Sequence, residues 1–275
     1  TRSDSVTGVQ TCALPISRPR WSWNDRRGSI ELEFFKLYEG PELKAKTPEE
    51  IYKEISLALE HDDLAWIQET KRRYVSRKRA EHLELALFLC PSCGDDHSMR
   101  GSGGRLYCEA CGAEWRVDSS YALSGSPEGI RGSFARQHAA FGTLLDRRIH
   151  DYSSRREALI HDSVILLRGL RLKPFTRIGL GQAELHPDRI SLVMETASNR
   201  RFFKWLTDEK TYVFDFPLSE LEGLSVLKQQ YFEFYFEGAM WRFKFPERFQ
   251  SGLRWLMAVE YCQKRDSENS EGASK

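Results

Sequence analysis

The sequence predicts an α+β chain made of several units rather than one continuous core. Three features predict it. Residues 26–59 read as a strand followed by a capped helix, residues 90–115 hold two Cys-x-x-Cys pairs, and from about Val164 short alternating strands run to one closing helix. At 275 residues the chain can hold one large domain or two to three small ones with real cores.

Bulk composition narrows the function classes. Apolar residues make up 40% and charged residues 29%, the balance of an ordinary water-soluble domain. The net charge is +1, so no global field marks a nucleic-acid binder and any basic site must be local. No apolar run approaches the ~18–20 residues of a membrane span; "LELALFLC" (83–90) is far too short. Of six cysteines, four form two tight pairs and two, Cys12 and Cys262, stand alone. That usage fits a reducing compartment with one metal site better than a disulfide framework.

Residues 1–17 contain "VTGVQTCALPIS", whose short apolar stretch is interrupted by Pro15 and lacks the core of a signal peptide. Val6 to Ile16 resemble one translated frame of a common short-read sequencing adapter. Residues 1–17, Cys12 included, are therefore expected to be adapter-derived and without function, the authentic protein beginning mid-chain at about Arg18.

In "RRGSIELEFFKLYEG" (26–40), Ile30, Leu32 and Phe34 alternate with Ser29, Glu31 and Glu33, the pattern of a half-buried strand. The helix of "KTPEEIYKEISLALEHDD" follows. Thr47 is an N-cap, Pro48 suits the first helical position, and Glu50 completes a capping box. Ile51, Ile55, Ala58 and Leu59 fall on one face; Asp62 and Asp63 read as a solvated turn.

Residues 71–87 then read as a basic helical linker. Lys71, Arg72, Arg73, Arg77, Lys78 and Arg79 place six cations in nine residues. Such a stretch is either a solvated connector or a patch for an anionic membrane surface. No aromatic interleaving accompanies it, which argues against nucleic acid.

"CPSCGDDHSMRGSGGRLYCEACGAEW" (90–115) is the most specific motif. Cys90/Cys93 and Cys108/Cys111 are separated by fourteen residues, and Gly94 and Gly112 follow the pairs. A two-residue gap lets both thiolates face one ion, and glycine permits the turn that aims backbone N–H groups at sulfur. Four thiolates suit tetrahedral Zn2+ in a closed, structural site, which predicts a zinc ribbon over 88–124. A redox Cys-x-x-Cys is the weaker reading, and His97 reads as a surface residue rather than a ligand.

Residues 125–162 read as a linker and one or two Arg-rich helices. Over 163–264, "VILLRG", "RIGLGQAEL", "DRISLVME", "RRFFKWL", "YVFDFPLSEL", "YFEFYFEG" and "AMWRFKFP" read as strands. Phe232, Phe234 and Phe236 share one face, Glu237-Gly238 is a hairpin tip, and Trp241, Phe243 and Phe245 point inward. "GLG" (179–181) reads as a bulge rather than a phosphate loop. The closing helix carries Phe249, Leu253, Leu256, Met257 and Glu260 at helical spacing, with Cys262 as a buried residue; 265–275 read as a disordered tail. About seven antiparallel strands closed by one helix, with "FPLSELEGLSV" between them, resemble the pleckstrin-homology-like (PH/GRAM) fold, an antiparallel β-barrel or sandwich.

No serine elbow, zinc-protease motif or phosphate-binding loop is present, and no catalytic or cofactor-binding residue is assigned. The segment 18–70, "RPRWSWNDRRGSIELEF…TPEEIYKEISLALEHDD", nevertheless resembles the C-terminal end of bacterial PlsC-like glycerophospholipid acyltransferases, some of which continue into a Cys-x-x-Cys ribbon. That resemblance implies a strand–helix remnant of an α/β domain. It also implies acyl transfer from acyl-CoA or acyl carrier protein to a lysophospholipid, by a His-x-x-x-x-Asp signature. None of the seven histidines here has an aspartate five positions on, so this chain is expected to be inactive itself. The alternative is a non-enzymatic protein in which a ribbon and a PH-like domain bind partners or a lipid surface. Either reading implies a cytoplasmic chain, peripheral on the inner face of the cell membrane.

Overall fold

The computed structural model describes residues 22–28, 35–60, 63–124, 129–169, 174–197 and 212–273. Residues 1–17 and the strand expected at 30–34 lie outside the described residues, as does "RRFFKWL".

Two short helices open the described chain, α1 (Gly40–Ala45) and α2 (Pro48–Ala58). The start of α2 is the expected one. Thr47 Oγ1 accepts the Glu50 N–H, and the Glu50 carboxylate accepts the Thr47 N–H at 2.9 Å. Its apolar side is only half-buried at Ile51, Ile55 and Ala58, and Leu59 is exposed. Glu54 ties α2 back to the preceding segment by accepting from Tyr38 (2.7 Å) and Lys46 (2.6 Å).

After α3 (Asp63–Thr70) the basic stretch is not a helix, contrary to the linker predicted for 71–87. Lys71 takes a positive φ of 54°, which ends the helix, and the chain then runs extended. The physical reason is the Tyr74-Val75 pair, a β-branched and an aromatic residue that favour extended backbone. Val75 pairs with Arg27 in an antiparallel bridge. Nor is this stretch a solvated connector. Tyr74, Ala80 and Leu83 are fully buried in one core with Ile67 of α3, Met99, Leu106, Val117 and the cysteines Cys90 and Cys108. That core lies under a three-stranded sheet in the order β1 (Met99–Ser102), β2 (Arg105–Cys108), β3 (Glu114–Arg116).

A single 27-residue helix, α4 (Gly129–Arg155), occupies the segment read as one or two helices. Seven antiparallel strands follow: β4 (Ile160–Gly169), β5 (Thr176–Leu185), β6 (Arg189–Ala197), β7 (Tyr212–Pro217), β8 (Glu222–Leu227), β9 (Tyr231–Phe236) and β10 (Ala239–Lys244). Their order is β7-β6-β5-β4-β10-β9-β8, two meanders joined where β4 meets β10. Strands β7 and β9 lie five ladder steps apart, about 24 Å in a flat sheet. Yet the Phe216 and Phe234 rings are 5.2 Å apart, so the sheet curls and shares one core. A register shift at Leu180/Gly181 supplies the bulge expected at "GLG". Glu237 (φ 49°) and Gly238 (φ 70°) form the expected two-residue hairpin tip.

The closing helix, α5 (Gly252–Ala273), departs from expectation in two ways. Its inner stripe is Trp255, Ala258, Val259 and Cys262, all buried, while Leu253, Leu256 and Met257 flank it half-buried and Glu260 is exposed. Trp255 sets this rotation because the largest apolar ring releases most area from water when it faces Phe232 and Phe243. The helix also continues through residues 265–273 rather than ending in a disordered tail. Ion pairs from Arg265 to Asp146 of α4 and from Lys264 to Glu268 support that extension.

Candidate metal centre

Two tight turns carry the four cysteines toward one point. In each, a glycine N–H donates to the carbonyl of the first cysteine, Gly94 to Cys90 and Gly112 to Cys108, both at 2.9 Å. Both glycines hold left-handed φ values, 76° and 75°, which a side chain would strain. The sulfurs of Cys90 and Cys111 lie 3.7 Å apart, as do those of Cys93 and Cys108, and all four fall within 4.8 Å of one another.

Those distances fit a metal and not a disulfide. Sulfurs arranged tetrahedrally around an ion at about 2.3 Å have edges of about 3.8 Å, whereas a disulfide bond is about 2.05 Å. All four cysteines are free thiols. Burial pushes the Cys90 thiol up to about 12 and raises Cys108, whereas the Ala113 N–H lowers the exposed Cys111. A divalent cation is the group that would hold such buried sulfurs as thiolates, releasing their protons on binding. Four protein ligands close the shell, leaving no coordination position for substrate or water. The arrangement can therefore fold and stiffen this unit.

The turn after Cys93 also fastens the small sheet to the large one. Asp95 caps the turn by accepting the N–H groups of His97 (2.9 Å) and Ser98 (2.7 Å). Asp96 receives Arg148 of α4 as a two-pronged pair, both contacts at 2.9 Å, and lies 3.5 Å from Arg254 of α5. Burial opposes the Asp96 carboxylate, but the Arg148 hydrogen bond and the charges of Arg254 and Arg148 hold its pKa below the ordinary value. Arg254 turns to Asp162 of β4 at 2.6 Å, and Asp162 also accepts from Trp255 (2.7 Å) and Gln250 (3.0 Å). Ser251 donates to the Leu85 carbonyl, and Gln137 bridges the Leu89 N–H and the Ala86 carbonyl.

His97, read as a surface residue, is exposed and lies outside the four-sulfur cluster. Its ring sits edge-on to Phe249 at 5.3 Å, and its pKa is lowered by burial and by Arg254. Cys262 is buried on α5, and burial lifts its thiol to about 12, so it is unreactive rather than nucleophilic. The sequence reading did not find the Asp96–Arg148–Arg254–Asp162 set. Spacing along the closing helix gave no signal for Arg254, since the inward face was expected at Leu253, Leu256 and Met257.

Glu84 is a further buried carboxyl, only 6% exposed beneath the small sheet. Burial pushes its pKa up to about 7 from an ordinary 4.5, with Arg100 and backbone N–H groups offsetting part of the effect. The raised value keeps the folded protein's Glu84 protonated below about pH 7. Stability is then fully present below about pH 4.5 and falls as pH rises through 7, by about 3 kcal/mol. Glu84→Gln is expected to abolish that decline, read as urea midpoints of the two proteins at pH 5 and pH 8.

Of the six clustered cations, Lys71, Arg73, Arg77 and Lys78 are exposed. Arg72 lies over the Trp66 ring at 5.5 Å, and Arg79 donates to the carbonyls of Val117 (2.8 Å) and Ser76 (2.7 Å). Among the described residues no helix is long and apolar enough to cross a membrane. No known protein-family model matches the chain, and no curated protein is significantly similar to it in sequence.

Proposed function

We propose that the chain is the non-catalytic C-terminal portion of a PlsC-like lysophospholipid acyltransferase, bearing a structural zinc ribbon and a PH-like sheet as accessory domains. One observation carries this reading. The capping-box helix at Thr47–Ala58, which resembles the closing helix of that acyltransferase domain, is followed, after α3 and the strip at 71–87, by the four-cysteine unit. Two meanders in the order β7-β6-β5-β4-β10-β9-β8, closed by α5, support the PH-like reading of the large sheet. Four thiolates in a closed shell support Zn2+ as the ion.

In this role the ribbon and sheet work as one body. The Asp96 and Asp162 pairs hold the ribbon at a set orientation on α4 and α5, so whatever the sheet contacts positions the upstream enzyme. The test is an assay of this chain and of the protein read from the longer upstream frame, with acyl-CoA and lysophosphatidic acid. The longer protein is expected to contain His-x-x-x-x-Asp and to transfer the acyl group, while this chain stays at background. An initiator methionine directly before Arg18, or turnover by this chain, would overturn the assignment.

A non-enzymatic interaction protein is the second reading. The observation that favours it is that the buried charged groups at the ribbon–sheet seam are spent on one another. An open reading frame with nothing upstream would select it.

A further inference from the structure

Residues 71–77 alternate strictly in exposure. Lys71, Arg73, Val75 and Arg77 face solvent, Tyr74 is buried, and Arg72 and Ser76 are half-buried. An extended backbone produces this, since successive side chains point to opposite faces. The strip is held in place from both sides. The Tyr74 N–H donates to the Ser119 carbonyl at 2.7 Å, and Val75 and Arg27 exchange backbone hydrogen bonds at 2.8 and 3.2 Å. Tyr74 anchors it from below, stacked on Tyr121 at 6.0 Å.

Residues directly opposed in an antiparallel bridge point to the same side, so Arg27 joins Val75 on the outer face. Its neighbour Arg26 is buried instead, lying 4.7 Å over the Tyr121 ring. The outer face thus gathers Arg27, Lys71, Arg73 and Arg77 around Val75, along about 20 Å of extended chain. None of these four cations forms an ion pair among the described residues, whereas Lys78 is taken by Glu81 at 3.4 Å. No acid lies between Thr70 and Ala80.

We infer that this ridge is a docking surface for an anionic phospholipid bilayer. Four unneutralised cations on a pinned strip present charge without a folding cost at contact. A net charge of +1 gives the molecule no general attraction to such a surface, so this local patch orients it. Val75, 59% exposed at the centre of the cations, supplies the apolar contact that headgroup-level binding adds to charge. A nucleic-acid strand fits less well, because the strip's one ring, Tyr74, is turned inward and offers no stacking surface. The inference does not depend on the acyltransferase assignment, since lipid binding is read without acyl donor or acceptor.

The experiment is flotation of the full chain with vesicles of phosphatidylcholine alone or with about 30 mol% phosphatidylserine, at low and high salt. Binding is expected to the anionic vesicles only and to weaken with salt. Arg73→Gln with Arg77→Gln is expected to lower partitioning about 25-fold, roughly fivefold per cation. Val75→Ser should lower it about threefold. Lys228→Gln with Lys244→Gln makes the same change in net charge on exposed residues of the large sheet and is expected to leave binding unchanged. Equal binding to neutral vesicles, an equal loss in the control pair, or binding to an oligonucleotide without binding to vesicles would each overturn the inference.

Discussion

Cys90→Ser is expected to strip the metal from the protein and unfold the region around 88–124. The small sheet has three strands of three or four residues each, too little area to fold unaided. Metal binding of about 10–16 kcal/mol is what such a unit folds on, so losing one of four thiolates removes most of its stability. Cys90 is buried in the same core as Leu83, Met99 and Leu106, so serine there also buries a hydroxyl among apolar neighbours. The consequence spreads, because the turn after Cys93 carries Asp96 to Arg148 and Arg254. Zinc content is expected to drop from one per chain to near none, with amide protection lost over the small sheet. Cys262→Ser is the control. It removes an equally buried sulfur from α5 and should keep the metal, at a cost of about 1–3 kcal/mol.

Asp162→Ala is the second large effect, expected to destabilise the protein by about 3–5 kcal/mol. Asp162 is 3% exposed and accepts from Gln250, Arg254 and Trp255. Its removal leaves the Arg254 guanidinium buried at 4% exposure, with Asp96 as its remaining acid. Restoring the match should recover much of the loss. Asp162→Leu with Arg254→Met is expected to be milder than Asp162→Ala alone, because no unpaired charge then remains. Urea denaturation of the three proteins measures both statements. A loss below about 1 kcal/mol for Asp162→Ala would mean that the seam carries no load.

What the residues revealed beforehand follows from how local each signal is. The capping box at Thr47–Glu50, the hairpin at Glu237-Gly238 and the alternation of Phe232, Phe234, Trp241 and Phe243 depend on neighbours a few positions apart. Each of these appears in the fold. The four cysteines were legible because metal ligation restricts both residue type and spacing. The basic stretch misled because charge density says nothing about period. Lys71, Arg73 and Arg77 are compatible with a helix until Tyr74 is seen to have a burial site beside Tyr121. The inward stripe of α5 was misjudged for a similar reason. Trp255 and Cys262 face the sheet because of what lies opposite, which spacing along the helix does not record. Least visible was the seam, since Asp96, Arg148, Asp162 and Arg254 are separated by up to 158 residues in the chain. Each alone looks like an ordinary surface charge.

A closed four-thiolate metal site is expected to fold the small sheet and seat it on the large one. X-ray absorption at the metal edge of the purified protein, with metal content per chain, tests this directly. The expected result is one zinc per chain with four sulfur neighbours at about 2.3 Å and no nitrogen or oxygen ligand. A mixed shell that includes a histidine, or a metal-free protein with Cys90–Cys111 and Cys93–Cys108 disulfides, would contradict it.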